Sequence, residues 1–333
     1  MSPPCQAIGA TFGRRGRDPA ARSPLEVDPM RMRRTLALGA SLLVLLSACG
    51  TGGGKPTIKI GSDGFYEAQL VAEMYAQVLE KAGYTVERNL GLGARAVTSP
   101  ALESGQIDLK PEYIGSGLGY YDKTKPSGDA AANAAALQDI LAGKGGGITV
   151  FDYSPGEDTN AFVVRADTAA ELGLSTMSDL AAVQDDLTWG LPPECETNPL
   201  CGGVLQDVYG IDFPPANLEA LAACDAPIAE ALDNGAVDVA ELCSTQPAIA
   251  TFGFVVLDDD KNTQPAENIA PIVRNDFLEK LSESDRTAFG KLLNDVSAKL
   301  TTEVLTELGV EVAVNNKDVA DVAKAWLTEQ GLL

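Results

Sequence analysis

The sequence predicts an α/β fold of two lobes, each a sheet flanked by helices, joined by a two-strand hinge. Three observations predict it. Past residue 56, short apolar runs alternate with apolar residues at helical spacing. That alternation is interrupted by Ser154-Pro155-Gly156-Glu157-Asp158 and then starts again. Residues 270–333 finally turn mostly helical, which brings the chain back to cover the first sheet. A length of 333 residues is enough for roughly two domains, and a 45% hydrophobic composition supports their cores.

The elements follow in order. Ile58 and Ile60 alternate with Thr57 and Lys59, a short strand before the turn at 61–64. Leu70, Val71, Met74, Tyr75, Val78 and Leu79 mark a helix that Gly83 ends. Residues 84–90 form a strand, and 94–103 a short helix with Pro100 inside. Residues 107–109 form a third strand. This order implies a parallel, doubly wound sheet. Pro111 then fits the first turn of a helix, with Glu112 at its positive end. Residues 129–141 are a helix and 148–153 a strand. The second set runs from a strand at 160–165 through segments at 179–183 and 187–191. Helices at 204–209 and 227–234 and a strand at 236–242 follow, and a strand at 251–257 leads back. The last helices cover 275–281, 285–308 and 317–329. The division is lobe I at 57–156 plus 256–333 and lobe II at 157–255. Two crossings make a hinge, and two hinged lobes are the architecture of binding proteins that close.

The N-terminus reads as an address. Arg31-Met32-Arg33-Arg34 precedes an apolar run, 36–46, that is too short for a stable membrane anchor. Leu46-Ser47-Ala48-Cys49-Gly50 resembles the lipobox of bacterial lipoproteins. That resemblance makes 1–48 a signal peptide and Cys49 a lipid-modified first mature residue. Residues 1–29 read as an over-extended start, with Met30 or Met32 the true one. Residues 49–56 are a Gly-rich tether. A diacylglycerol supplies the two chains that stable anchoring needs. The expected location is the outer face of the cytoplasmic membrane.

Export explains the cysteines. Cys195, Cys201, Cys224 and Cys243 are an even set in an oxidising compartment, so two disulfides are expected. Three pairings are possible. Cys195–Cys201, closing a Pro-rich loop, with Cys224–Cys243 is favoured.

The composition excludes much. There is no histidine, which removes Ser-His and Cys-His nucleophile pairs and the usual zinc sites. No catalytic residue, cofactor or metal is expected. The net charge is −22, and −26 once residues 1–48 are set aside. Such a surface repels nucleic acid.

Residues 107–118 carry the site. Tyr113 and Ser116, at i and i+3, share a face just past a strand end, where open α/β sheets collect ligands. The alternative is a packed tyrosine beside Gly115 and Gly117.

Several segments, taken together, resemble a known family. They include Ile58-Lys59-Ile60-Gly61-Ser62 with Phe65 and Glu67, and Ala101-Leu102-Glu103-Ser104-Gly105-Gln106-Ile107-Asp108. Pro111-Glu112-Tyr113-Ile114-Gly115 and Asn268-Ile269-Ala270-Pro271-Ile272-Val273-Arg274 are the most specific. The chain resembles the quaternary-ammonium (glycine betaine, choline, carnitine) substrate-binding proteins of bacterial ABC importers, the ProX/OsmF-like group. The resemblance implies a periplasmic-binding-protein-like fold of type II, a small solute in the inter-lobe cleft, and delivery to an ABC permease and its ATPase. It implies Tyr113 as a cage aromatic, Ser116 in place of a threonine, and Phe162 as the second lobe's ring, with Phe65 beside them. Asp63 stands where the family has a lysine for the ligand carboxylate. The second lobe's arginine is missing from the cysteine-bearing stretch 194–203. Cys243 and Glu267 stand about where two further tyrosines belong.

These departures predict a cation without a carboxylate, or a hydroxyl-rich neutral or aromatic ligand, if Asp63 and Glu267 line the cleft. An Asx turn is the alternative role for Asp63. The function expected is a monomeric solute-binding lipoprotein of the osmoprotectant type that performs no chemistry. Rivals are an enzyme on the same scaffold and a sensor lipoprotein without a transport role.

Overall fold

In the computed structural model, residues 55–333 are described, apart from 125, 194, 223 and 225. The expectations for the signal peptide, Cys49 and most of the tether therefore lie outside the described residues. The first half runs β1 (Thr57–Gly61), α1 (Tyr66–Lys81), β2 (Thr85–Asn89), α2 (Arg95–Glu103), β3 (Leu109–Tyr113), α3 (Ile114–Tyr121), α4 (Ala130–Leu141) and β4 (Ile148–Val150). Next come β5 (Asn160–Val164), α5 (Ala166–Leu172), α6 (Met177–Leu180), β6 (Trp189–Leu191), β7 (Leu218–Ala220), α7 (Ala226–Asp233), β8 (Val239–Cys243), α8 (Pro247–Phe252) and β9 (Val255–Val256). The chain ends with β10 (Ile269–Arg274), α9 (Asn275–Leu278), α10 (Glu283–Ser297), α11 (Thr302–Gly309) and α12 (Val319–Glu329).

Two five-stranded sheets result, in the orders β2-β1-β3-β10-β4 and β7-β6-β8-β5-β9. Neither is purely parallel, contrary to the sequence expectation. β10 runs antiparallel to β3 and β4, and β5 runs antiparallel to β8 and β9. Both reversed strands are the first that the chain makes on entering a sheet from the other one. A strand arriving that way lacks the right-handed βαβ crossover that enforces parallel pairing.

The helical face predicted for α1 is fully used. Leu70, Val71, Met74, Tyr75, Val78 and Leu79 are all buried. Burial of each such side chain is worth about 1.5–3 kcal/mol. The Tyr75 hydroxyl meets Ser297 Oγ at 2.9 Å, tying α1 to α10. On the outer edge Arg88 of β2 donates to Glu73 and Glu80 of α1.

Three further expectations are corrected. Pro111 and Glu112 lie in β3, not in a helix, and α3 starts at Ile114. Pro111 stands directly opposite Pro271 of β10. Two prolines can face each other only at a non-hydrogen-bonded pair of an antiparallel ladder. Pro271 indeed turns its carbonyl to the other side, accepting from Phe151 N at 3.0 Å. Within 251–257, Thr251 and Phe252 are the end of α8, closed by Gly253 at φ +69°, and only Val255–Val256 is strand. The single helix expected over 285–308 is two, because Thr301 caps a new start by accepting from Val304 N at 3.2 Å.

The chain crosses between the sheets after β4 and again before β10. The two crossings lie side by side, with an antiparallel bridge between Glu157 and Asn268. Asn268 Nδ2 donates to the Ser154 carbonyl at 3.0 Å, and Ile269 N donates to Ser154 Oγ at 2.8 Å.

Candidate functional site

β3 ends at Tyr113, beside the crossings. The tyrosine ring is buried and lies 5.7 Å from the ring of Phe65, tilted by 43°. Phe65 is the N-cap of α1 and is half exposed, so the aromatic pair faces outward at the strand ends. Together they line a pocket of about 250 Å³. Arg95, Ser116 and Glu267 complete this side of it. Asn160 of β5, Cys243 at the end of β8 and Asp158 of the first crossing line the opposite side. The pocket therefore lies between the two sheets.

Glu267 is locked to α3. Its Oε2 accepts Ser116 N at 2.9 Å and its Oε1 accepts Ser116 Oγ at 2.7 Å. Gly115 makes room for this: a Cβ there would lie 2.7 Å from the Ala266 carbonyl oxygen and 2.9 Å from Glu267 Oε1. Burial is the main reason the Glu267 carboxyl rises from 4.5 to about 7; Glu112 adds to it, while Ser116 and Arg95 oppose.

A second acid pair stands behind Tyr113. The tyrosine hydroxyl donates to Glu67 Oε1 at 2.5 Å. Burial first, then the charge of Asp158, pushes Glu67 up to about 8. Asp158 is also raised by burial, although its Oδ1 accepts Thr245 N at 3.2 Å.

Asp63, expected at the ligand site, does not line this pocket. Its Oδ1 accepts Lys110 Nζ at 2.9 Å and Thr98 Oγ1 at 2.5 Å. Lys110 is fully buried and also pairs with Glu112 Oε2 at 3.0 Å. Glu112 Oε1 in turn accepts Arg95 Nε at 3.0 Å and Tyr113 N at 2.9 Å. Asp63, Lys110, Glu112 and Arg95 thus form a chain of alternating charge. Burial works against Glu112, but Lys110 and Arg95 outweigh it and hold its carboxyl below the usual range. A buried lysine cannot stay charged without such partners, and it draws Asp63 away from the cleft.

Phe162 is also placed elsewhere. It is buried in the core of the second sheet and lines a neighbouring cavity of about 330 Å³ with Met177 and Leu257. Asn160, Gln264 and Pro265 line both cavities. Of the residues expected at the site, the structure brings together Tyr113, Ser116, Phe65, Glu267 and Cys243. Sequence reasoning considered Arg95 only as a partner for Asp63, whereas it pairs with Glu112, and it missed Asp158, Asn160 and the Lys110 ion chain. One signal was available: Lys110 and Glu112, two apart in a strand, must share a face.

Both favoured disulfides are present, Cys195–Cys201 and Cys224–Cys243. The second fixes a pocket residue, Cys243, to the segment before α7.

Comparison with known proteins gives a consistent picture. A family model described as "Substrate binding domain of ABC-type glycine betaine transport system" matches residues 56–329. A glycine-betaine-binding protein of Pseudomonas aeruginosa is 28% identical over 286 residues, covering 83% of this chain and 89% of that protein. The carnitine transport binding protein OpuCC of Listeria monocytogenes is 29% identical, covering 89% of this chain and 96% of that protein. A crystal structure of a glycine betaine/carnitine/choline ABC transporter protein superposes with a TM-score of 0.73 at 25% identity, covering 83% of this chain and 99% of that one. Its two-sheet architecture is that of type II periplasmic binding proteins. The chain belongs to the substrate-binding family of ABC-type glycine betaine transport systems, extracytoplasmic solute-binding components and not enzymes.

Proposed function

We propose that this protein seats a small quaternary-ammonium compound between its two sheets and hands it to a membrane permease. The observation that carries the reading is the tilted Phe65–Tyr113 ring pair in a pocket that also holds the carboxyls of Asp158 and Glu267. A methylated cation lacks N–H groups, so aromatic faces and diffuse negative charge are what can hold it. Each ring is worth about 0.5–2 kcal/mol. The acids add attraction without demanding a hydrogen-bond donor. Since Asp63 is neutralised by Lys110, its sign no longer argues against a ligand carboxylate.

Closure of one lobe on the other would bury the bound compound, and the closed form would dock on the permease. The lipobox-like stretch ending at Cys49 supports tethering to the outer face of the membrane. Mass spectrometry of the membrane-extracted protein tests that: a diacylglycerol-bearing Cys49 at the N-terminus is expected, and an unmodified one would refute it.

Calorimetric titration with glycine betaine, carnitine and choline, and with sorbitol as a neutral control, tests the ligand class. At least one ammonium compound should bind and sorbitol should not. Tyr113→Ala should abolish capture with an unchanged circular-dichroism spectrum; unaltered affinity would remove Tyr113 from the site.

A further inference from the structure

We infer that a cation entering the pocket expels a proton from the Glu67–Asp158 carboxyl pair, so that solute capture is coupled to proton release. The inference rests on the quaternary-ammonium reading above and deepens it.

The pair spans the joint between the sheets. Glu67 comes from the first turn of α1, and Asp158 stands in the first crossing, between β4 and β5. Thr245, which follows β8, donates its N–H to Asp158 Oδ1 at 3.2 Å. Glu67 is only 2% exposed, and its Oε1 accepts the Tyr113 hydroxyl at 2.5 Å. Its Oε2 accepts no hydrogen bond from the described residues. Asp158 is half-buried and lines the pocket.

What the pair lacks is positive charge. The groups that face Glu67 are Asp158, Tyr66, Tyr113 and Thr245, one acid and three hydroxyls. Arg95 lines the same pocket but is paired with Glu112, and Glu267 is bonded to Ser116. A carboxyl sunk in low dielectric beside a second carboxyl, with no cation to offset it, keeps its proton into the neutral range. Glu67 is accordingly pushed up to about 8, by burial first and then by Asp158. A quaternary ammonium seated against Asp158 supplies the missing charge and lowers the cost of ionising both acids. One carboxyl O–H bond then breaks, the electron pair stays on the carboxylate, and the proton passes to solvent through the pocket. One positive charge enters and one leaves. Capture is therefore strongest above pH 8 and weakens as the pH falls, because the proton competes with the solute.

The test is calorimetric. Tetramethylammonium, choline and glycine betaine are titrated at pH 7.5 in phosphate and in Tris, whose different ionisation heats reveal any proton exchanged. The wild type should release protons on binding, and its affinity should rise about 10- to 30-fold from pH 6 to pH 8. Glu67→Gln should abolish the release and flatten the affinity to within about threefold over that range. Buffer-independent heats in the wild type would overturn the inference. So would release that persists in Glu67→Gln, or that disappears in Glu267→Gln instead. Should Glu67→Gln fail to fold, Asp158→Asn serves in its place: relieved of its neighbour's charge, Glu67 should release less, and undiminished release would overturn the inference. A wild type that binds none of the three compounds would instead overturn the quaternary-ammonium reading itself.

Discussion

The Tyr113 hydroxyl ties the aromatic wall to the Glu67 carboxyl, which burial and the charge of Asp158 push up. Removing that hydroxyl leaves the ring in place and takes a donor from buried Glu67. Tyr113→Phe should lower unfolding stability by about 1–3 kcal/mol in denaturant titrations. Ligand affinity should change far less than for Tyr113→Ala. Glu267 makes a second, pH-linked prediction. Its folded-state value of about 7 exceeds the ordinary 4.5, so the folded chain holds this proton more tightly than the unfolded chain. The stability so gained is complete below about pH 4 and is lost as pH rises through 7, on the order of 3 kcal/mol in all. Arg95 and the Ser116 donors limit the effect from one side, and Glu112 enlarges it from the other. Glu267→Gln should flatten the stability curve between about pH 4 and 8; an unchanged slope would contradict the assignment. Tyr113 and Ser116 were singled out by local spacing and family position together, and Glu267 by family position alone. Asp63 and Phe162 lie outside this pocket, because side-chain direction depends on partners far along the chain. Lys110 is 47 residues from Asp63, and nothing local announces that bond.

At the level of elements, the strand-to-helix step from β3 to α3 decides the site. Gly115 lets the Ala266–Glu267 backbone approach the first turn of α3. Gly115→Ala should displace Glu267, destabilise the protein by about 1–3 kcal/mol and weaken ligand binding together. Lys110 supports the same step from beneath. Lys110→Met would strand Asp63 and Glu112 in the interior and should cost about 3–5 kcal/mol, read from urea unfolding. Most helices were visible in the sequence because an apolar face repeats with its own period, as in α1. The reversal of β5 and β10 was not, since strand direction is set by where the chain arrives from. The Pro111 error has the same origin. A proline beside an apolar run signals a helix start, and only the opposing Pro271 shows why a strand tolerates it here.

Across the whole molecule, two sheets meet over a pair of crossings laced by Ser154, Glu157 and Asn268. Gly156 sits so near Thr301 and Thr302 that a Cβ would lodge against their backbone. The crossings are therefore fixed to the start of α11, and bending must be taken up on either side of them. Cys243 adds a covalent constraint to this arrangement, joining one wall of the cleft to Cys224 across 19 residues. Cys224→Ala should lower stability by about 2–4 kcal/mol and loosen solute retention, seen as a faster off-rate. For the laboratory this means that material ripened in a reducing cytosol would carry a free sulfhydryl facing the vacant cleft. Maleimide labelling would count such molecules, and solute protection against the label would report occupancy without a radioactive ligand.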